Sequence, residues 1–445
     1  MKYSNKKKIP QSIAVVGCSH LGIVWSVGYG SFGYQVTAFD TDENAVRALR
    51  EGRLPVPEPG LPELFKKARS NITFTNDPSL LRECSVVFFA KDVPMDEEGR
   101  IDLTSINSLL DSVIPHLADE ADFIFMGQVP VGFTRSLRAK ILERRANAKI
   151  ALTYCVETLT IGTAVEWFLK PDRIVLGTET AATTLSLRLV AVFTPFNCRL
   201  MQISYESAEL TKSAINVYLA TAVTWVNTIA DLCEKLGANI NEVVSVMKLD
   251  RRFSPHCYWR PGLGFAGGHL ERDLATLLML SEAHGIQPRF LQAIVEQSKE
   301  RYLWLVRALE EIVFEKLTKP TLCLWGLAYK KGTDSLHNAQ SLKVIRDFGS
   351  RATLHVYDPV AKLPPNLQDA VQVFPDKYEA VKGVNCLVIL TEWEEFSVND
   401  AKQLVRMMKH PIIIDCVNML GPEARSSKTL TYVGMGIPRP AFGGF

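Results

Sequence analysis

The chain has 445 residues, which is too long for one hydrophobic core and predicts two or three domains. Its 50 Lys and Arg residues and 48 Asp and Glu residues leave a net charge of +2, which gives no electrostatic footprint for nucleic acid. The basic opening residues precede only a short apolar run, so we expect no export signal and a cytoplasmic protein. The nine cysteines are scattered singly, without the paired spacing of a metal site.

The first 40 residues have the pattern of a dinucleotide-binding fold. A strand at 12–16 leads into a glycine turn, a helix to about Tyr29 and a strand at 35–39 that ends in Asp40. In such a fold the helix amino end faces the pyrophosphate and the acidic residue holds the ribose hydroxyls. The turn residues predicted to bind the cofactor are Gly17, Ser19, Leu21 and Gly22, and Ser19 replaces the usual second glycine.

Strand-like runs continue at 85–90, 122–126 and 149–153, with helical segments between them. Alternation of this kind is typical of a parallel sheet covered by helices. We therefore expect residues 1–198 to form one doubly wound α/β domain.

The stretch 204–235 contains no Gly or Pro and predicts one long helix. It carries no charge between Lys212 and Asp231, and a helix that is apolar on nearly every side belongs inside a protein. Asn216, one turn after Lys212, and several threonines interrupt the pattern too often for a membrane span. This buried helix begins a helical region predicted at 199–300.

A second α/β series is predicted at 301–445, and its first strand ends in a turn at 326–331 that indicates a second ligand site. The residues from Gly434 onward are rich in Gly and Pro and predict a loose tail. The fold class is therefore α/β, with two Rossmann-like doubly wound domains joined by a long central helix. The predicted strands of the second series are 321–325, 353–357, 386–390 and 412–415.

The segment 260–273, RPGLGFAGGHLERD, lies between the helical region and the second series. It resembles the signature loop of the UDP-glucose/GDP-mannose dehydrogenase family, whose members oxidise the C6 alcohol of a nucleotide sugar to a carboxylate with two NAD. Further matches follow in the family's order along the whole chain. They are 54–64, 171–173, Glu209 with Lys212 and Asn216, 326–330, 357–359 and 391–393.

In this family a cysteine of the signature loop attacks the first-formed aldehyde, and the matching position here is His269. An imidazole cannot offer a thiolate, so the usual covalent route is closed at this residue. Histidine suits proton transfer near neutral pH, which makes His269 a candidate base. Cys257, earlier in the chain, remains a minor alternative nucleophile.

The resemblance implies roles for four other catalytic residues. Glu157 matches the proposed general base, and Lys212 would steady an oxyanion. Asn216 and Asp273 would position water or substrate. Ile161 stands where the family has a second glutamate, so this set is incomplete.

Binding residues are also implied by the resemblance, with NAD as the cofactor. Asp40 is kept, whereas His337 replaces an arginine that pairs with NAD, and residues 91–93 and 127–128 depart from the family pattern. Val417 replaces a substrate arginine. The implied substrate-binding residues are Arg252, Arg260, Gly264, Phe265, Gly267 and Lys330.

Together these patterns predict an NAD-dependent oxidoreductase that acts on the CH–OH group of a UDP- or GDP-sugar without a thiohemiacetal, in a cleft between the two α/β domains. The resemblance also implies a homodimer through the central helix and a place in polysaccharide biosynthesis. Two alternatives remain open. One is a noncatalytic relative that binds a nucleotide sugar, and the other is an epimerase that uses transient oxidation.

Overall fold

The computed structural model describes residues 12–94, 101–254, 256–397, 401–425, 427 and 429–438. The chain forms two compact units, Met1–Ile215 and Asn216–Phe445. One long helix, α8 (Tyr205–Leu236), contributes residues to both units. The sequence-predicted divisions at 1–198, 199–300 and 301–445 stay predictions.

An eight-stranded sheet forms the centre of the first unit, in the order β3-β2-β1-β4-β5-β6-β7-β8. Neighbouring strands are parallel except for the antiparallel pair β6 and β7. The strands are β1 (Ser12–Val16), β2 (Gln35–Phe39), β3 (Ile72–Thr75), β4 (Val86–Phe89), β5 (Asp122–Phe125), β6 (Ala151–Cys155), β7 (Arg173–Thr178) and β8 (Arg199–Ser204). The helices before α8 are α1 (His20–Ser31), α2 (Glu43–Arg50), α3 (Leu61–Ala68), α4 (Thr104–Val113), α5 (Phe133–Arg144), α6 (Ala164–Leu169) and α7 (Leu187–Phe193).

Both faces of this sheet are buried. Along β1, Ile13 and Val15 belong to one apolar cluster, whereas Ala14 and Val16 belong to another. Successive side chains of a strand point to opposite faces, so a strand covered on both sides must be apolar throughout. This explains why β1 is a continuous apolar run.

The second unit contains a six-stranded parallel sheet in the order β11-β10-β9-β12-β13-β14. Its strands are β9 (Thr321–Trp325), β10 (Thr353–Tyr357), β11 (Gln372–Val373), β12 (Cys386–Ile389), β13 (Ile412–Asp415) and β14 (Thr431–Gly434). Its helices after α8 are α9 (Ile240–Met247), α10 (His269–Ala283), α11 (Arg289–Leu309), α12 (Gln340–Phe348), α13 (Pro365–Gln368), α14 (Lys377–Val381), α15 (Ala401–Met407) and α16 (Pro422–Arg425). The predicted fold class is confirmed, since two parallel-sheet domains are joined by a long helix.

Helix α8 begins and ends within one residue of the predicted span 204–235. The expectation of a buried helix is wrong for the single chain, because Tyr218, Trp225 and Leu232 are 65%, 41% and 50% exposed. At 3.6 residues per turn these side chains lie on one side of the helix. Helix α8 therefore carries an exposed apolar face.

Two other boundaries also differ from the sequence predictions. Residues 199–204, expected at the start of the helical region, form strand β8 and pair with β7. Gly434, expected in a loose tail, ends strand β14, and Gly436 donates its N–H to Glu234 at 2.8 Å. Residues 439–445 lie outside the described part of the chain. None of the described helices is long and apolar enough to cross a membrane.

Candidate active site

The turn between β1 and α1 has a geometry that only glycine allows at two positions. Gly17 has φ +100°, and a Cβ atom there would lie 2.8 Å from the carbonyl oxygen of Ala90. A Cβ atom at Gly22 would lie 1.8 Å from the carbonyl oxygen of Gly17. The turn therefore packs tightly against the end of β4, and the pyrophosphate site expected at the amino end of α1 stays a prediction.

Asp40 lies at the carboxyl end of β2, where the sequence predicts a carboxylate that holds the ribose. Its side chain is buried and accepts hydrogen bonds from the backbone N–H groups of Cys18, at 2.7 Å, and Asp42, at 3.1 Å. Lys91, in the loop after β4, places Nζ 3.2 Å from Asp40 Oδ2. Sequence comparison marked Lys91 only as a departure from the family, so its pairing with Asp40 is a finding of the structure.

Ser19 and Leu21 of the glycine turn are both in contact with the loop after β4. The N–H of Asp92 donates to Ser19 Oγ at 3.2 Å, and the N–H of Leu21 lies 3.4 Å from Asp92 Oδ2. The side chain of Ser19 thus attaches the loop to the turn. These contacts and the two glycines form a close-packed turn, the dinucleotide cradle, in which the N–H of Leu21 faces the Asp92 carboxylate.

His20 begins α1 and pairs with a glutamate that the sequence did not single out as a site residue. His20 Nε2 lies 2.9 Å from Glu58 Oε2. Glu58 also accepts the N–H groups of Gly162, at 2.9 Å, and Ala164, at 2.8 Å. Burial raises the pKa of Glu58, but these hydrogen bonds outweigh burial and leave the pKa below its usual value. The only sequence signal for the contact between His20 and Glu58 was that Glu58 lies in the motif at 54–64.

Glu157 follows strand β6 and lies close to the cation at the start of the long helix. Lys212 Nζ is 4.0 Å from Glu157 Oε2, and the two side chains are only 13% and 16% exposed. Glu157 also accepts a hydrogen bond from the N–H of Leu159. Burial raises the pKa of Glu157, while Lys212 and the Leu159 hydrogen bond counter part of that rise. The lysine on the apolar helix therefore has the charged partner that its position requires.

Asn216 and Asp273 are brought together in the second unit. Asn216 Nδ2 donates to Asp273 Oδ2 at 2.6 Å, and Asp273 is fully buried. The contact joins α8 to α10 across 57 residues of sequence. The two residues are far apart in the sequence, so their hydrogen bond could be found only from the tertiary structure.

His269 is the first residue of α10 and is exposed, and the preceding Gly268 has φ +105°. Its Nδ1 lies 2.9 Å from Nη2 of Arg272. A guanidinium can only donate, so Nδ1 must accept and the ring proton must be on Nε2. In this arrangement His269 offers a hydrogen-bond donor. The role of base predicted for His269 stays a prediction.

The glycine loop before α10 is fixed by backbone contacts within the second unit. The N–H of Phe265 donates to Ser298 Oγ at 2.8 Å, and the N–H of Gly267 donates to the carbonyl oxygen of His337 at 3.0 Å. Gly264 and Gly267 have φ +91° and +86°, which favour glycine. His337 therefore anchors the loop through its backbone, whereas its predicted cofactor contact remains untested.

The remaining predicted substrate residues lie on the surface or in part-buried positions. Arg252 is bonded locally to Asp250, with Nη2 2.5 Å from Oδ2. Arg260 is exposed, and Lys330 Nζ lies 5.6 Å from the ring centre of Tyr329. Their substrate contacts stay predictions.

All nine cysteines are free, and burial raises the pKa of Cys18 in the glycine turn to about 12. A thiol with such a pKa is a packing group, as expected. Cys257 is half-buried and lines an apolar groove with Trp225 and Phe253. The idea that Cys257 replaces the missing nucleophile remains a hypothesis.

No cluster of side chains suited to a metal ion occurs among the described residues.

Family models match nearly the whole chain. The NAD binding domain of the UDP-glucose/GDP-mannose dehydrogenase family matches residues 11–197, its central domain matches 206–300, and its UDP binding domain matches 323–422. These matches confirm NAD as the cofactor.

Curated relatives and solved structures agree with these matches. The chain is 30% identical to a UDP-glucose 6-dehydrogenase of Pseudomonas aeruginosa, with 96% of this chain and 98% of the relative covered. It is 28% identical to the UDP-glucose 6-dehydrogenase TuaD of Bacillus subtilis, with 96% and 94% covered. A UDP-glucose dehydrogenase structure from Pyrobaculum islandicum matches with a TM-score of 0.84 and 26% identity, and 98% of this chain and 100% of that chain are covered. The chain belongs to the UDP-glucose/GDP-mannose dehydrogenase family.

Proposed function

We propose that this protein is an NAD-dependent dehydrogenase that oxidises the CH–OH group of a UDP-sugar. The match of residues 323–422 to a UDP binding domain favours uridine as the nucleotide. The observation that carries the proposal is the part-buried pair of Glu157 and Lys212, in the same unit as the dinucleotide cradle. A noncatalytic binding protein has little need of a carboxylate with a raised pKa beside a part-buried lysine.

In the first oxidation, Glu157 accepts the proton of the sugar hydroxyl while the hydrogen on the same carbon leaves as hydride. Bound NAD supplies the hydride acceptor. A raised pKa makes Glu157 a stronger base than an ordinary glutamate, which suits this transfer. Lys212 then stabilises the negative charge that develops on the substrate oxygen. The product of this step is a carbonyl compound.

A second oxidation cannot use a thioester at position 269, because histidine has no thiol. Water can instead add to the aldehyde to give a gem-diol, whose C–H hydrogen would leave as hydride to a second NAD that replaces the NADH, while an O–H hydrogen leaves as a proton. The Asn216–Asp273 pair provides a fixed amide and a carboxylate for holding that water. His269, with its proton on Nε2, donates a hydrogen bond to a substrate oxygen and does not serve as the base.

Mass spectrometry of the sugar nucleotide after incubation with NAD tests this proposal. UDP- and GDP-sugars are supplied separately, and a UDP-sugar that loses two hydrogens or becomes the acid supports it. An unchanged mass with a changed retention time would indicate epimerisation and contradict the dehydrogenase assignment. No change in any sugar, together with retained binding, would favour the noncatalytic relative.

We also propose that the protein is a homodimer through α8. Tyr218, Trp225 and Leu232 form an exposed apolar face that is unusual for a monomer. A second copy covers this face with the same residues, as an isologous interface requires. The apolar groove beside Tyr218 and Trp225, about 310 Å³ in volume, lies next to this face.

A further inference from the structure

We propose that Lys91 reads the substituent on the adenosine ribose and allows the dinucleotide domain to accept a 2′-phosphate as well as a free 2′-hydroxyl. The known cofactor is NAD, and the inference extends the dinucleotide site to NADP. It concerns cofactor binding alone, so it stands apart from the sugar chemistry proposed above.

Dinucleotide-binding domains that exclude NADP usually have an unpaired carboxylate after the second strand, near the 2′ position of the ribose. Such a carboxylate accepts the ribose hydroxyls and repels a phosphate dianion, whereas a neighbouring cation accommodates it. Asp40 occupies the carboxylate position here, but Lys91 Nζ lies 3.2 Å from its Oδ2 atom. The charge that would repel the phosphate is therefore largely offset.

The hydrogen bonds of Asp40 leave room for a ribose. Oδ2 accepts from the N–H of Cys18 and from Lys91, while Oδ1 accepts from the N–H of Asp42. A carboxylate has about four acceptor positions, so Oδ1 can still accept one ribose hydroxyl. Asp40 can therefore hold the 3′-hydroxyl while it remains paired with Lys91.

Lys91 has donors to spare for the neighbouring 2′ position. An ammonium group has three N–H donors, and within the described residues Asp40 is the only hydrogen-bond acceptor recorded for Lys91. Its side chain is 27% exposed, so Nζ is reachable from solvent. The remaining donors can serve a hydroxyl oxygen or, more strongly, a phosphate oxygen.

The backbone next to Lys91 is held against the glycine turn. Asp92 donates its N–H to Ser19 Oγ at 3.2 Å, and its carboxylate lies 3.4 Å from the N–H of Leu21. Ala90, on the other side, lies so close to Gly17 that no Cβ atom fits there. The backbone of Lys91 is therefore held in place by both neighbours, and its side chain is directed by the contact with Asp40.

Asp42 and Asp92 are further acidic groups near this position, and their charge opposes a phosphate. Asp42 is exposed, and its Oδ1 atom caps α2 by accepting the N–H groups of Asn44 and Ala45. That carboxylate is engaged with the helix amino end, which partly offsets its charge. Lys91 is therefore the residue whose charge we expect to influence the choice between the two cofactors.

Fluorescence titration of the full chain with NADH and with NADPH tests the inference without requiring turnover. Lys91→Met keeps an unbranched side chain that is one atom shorter and removes the charge, and Lys67→Met on α3 removes an exposed lysine as a control. We expect Lys91→Met to raise the ratio of the NADPH Kd to the NADH Kd by about tenfold. Lys67→Met should leave the ratio unchanged, and Lys91→Arg should preserve NADPH binding.

A ratio that stays within about twofold of the wild-type value in Lys91→Met would overturn the inference, because loss of a structural contact weakens both cofactors alike. The inference would also be overturned if the wild-type protein bound NADPH weakly and Lys91→Met did not weaken NADPH binding further. If the wild-type protein binds neither dinucleotide, both this inference and the dehydrogenase proposal fail. Normal NADH binding with an unchanged ratio removes only the inference.

Discussion

Arg272 holds the imidazole of His269 with Nη2 2.9 Å from Nδ1, one helical turn away on α10. Since the guanidinium cannot accept a hydrogen bond, this contact keeps Nδ1 unprotonated and leaves a proton on Nε2. We infer that His269 is thereby arranged as a hydrogen-bond donor, whereas the residue type alone predicts a base.

The donor role predicts different outcomes for two substitutions of His269. His269→Gln retains an N–H donor on a side chain of similar length, so we expect it to keep turnover within about fivefold, whereas His269→Ala should lose about 10- to 100-fold. Steady-state kcat for a UDP-sugar checks this, with UDP-sugar affinity measured separately and expected to change little. Equal loss in both variants would support the base role instead.

Glu157→Gln should abolish the proton acceptor, and we expect kcat to fall by at least about 100-fold. Because burial raises the pKa of Glu157 above its ordinary value of 4.5, wild-type activity should be lost as the pH falls through that raised pKa. A carboxyl group with a raised pKa stabilises the fold below pH 4.5 and loses that contribution as the pH rises. Thermal unfolding at several pH values should therefore show wild type losing stability relative to Glu157→Gln with rising pH. The opposite trend would contradict the assigned environment.

The Glu58 carboxylate predicts a stability effect of the opposite sign. Its pKa is lowered because hydrogen bonds from His20, Gly162 and Ala164 outweigh burial. Glu58→Gln should cost about 2 kcal/mol at neutral pH, since an amide nitrogen would face one of these donors. The cost should vanish as the pH falls below 4.5 and through the lowered pKa, because the wild-type carboxylate then becomes protonated. Chemical denaturation at pH 7 and at successively lower pH values below 4.5 measures it, with the exposed Glu63→Gln on α3 as control.

Leu232→Glu should disrupt the proposed dimer because it places a charge in the exposed apolar face of α8. Leu142→Glu on α5 is a matched control, since Leu142 is 45% exposed and Leu232 is 50% exposed. Sedimentation velocity should show a dimer for wild type and Leu142→Glu, and a monomer for Leu232→Glu. A monomeric wild type, or a dimer that survives Leu232→Glu, would remove α8 as the interface.

The sequence by itself determined the fold to a large extent. Continuous apolar runs such as β1 identify strands buried on both faces, and the absence of Gly and Pro from 204–235 defines α8 to within one residue. Gly17 and Gly22 could be assigned because the steric demand of a tight turn is local. Strand β8 escaped prediction because its short stretch before α8 carries little periodic signal.

The site depended on contacts that no local pattern reveals. Glu58 reaches Ala164 across 106 residues, Lys91 reaches Asp40 across 51, and Asn216 reaches Asp273 across 57. The residue types show which chemistry is available, and the family resemblance shows where to look for it. The protonation of a glutamate and the tautomer of a histidine depend on burial and hydrogen-bond partners, and these exist only after distant segments have packed together. For that reason the sequence determined the fold and the cofactor class, while the tertiary structure decided the burial and the hydrogen-bond partners of the groups proposed to transfer protons.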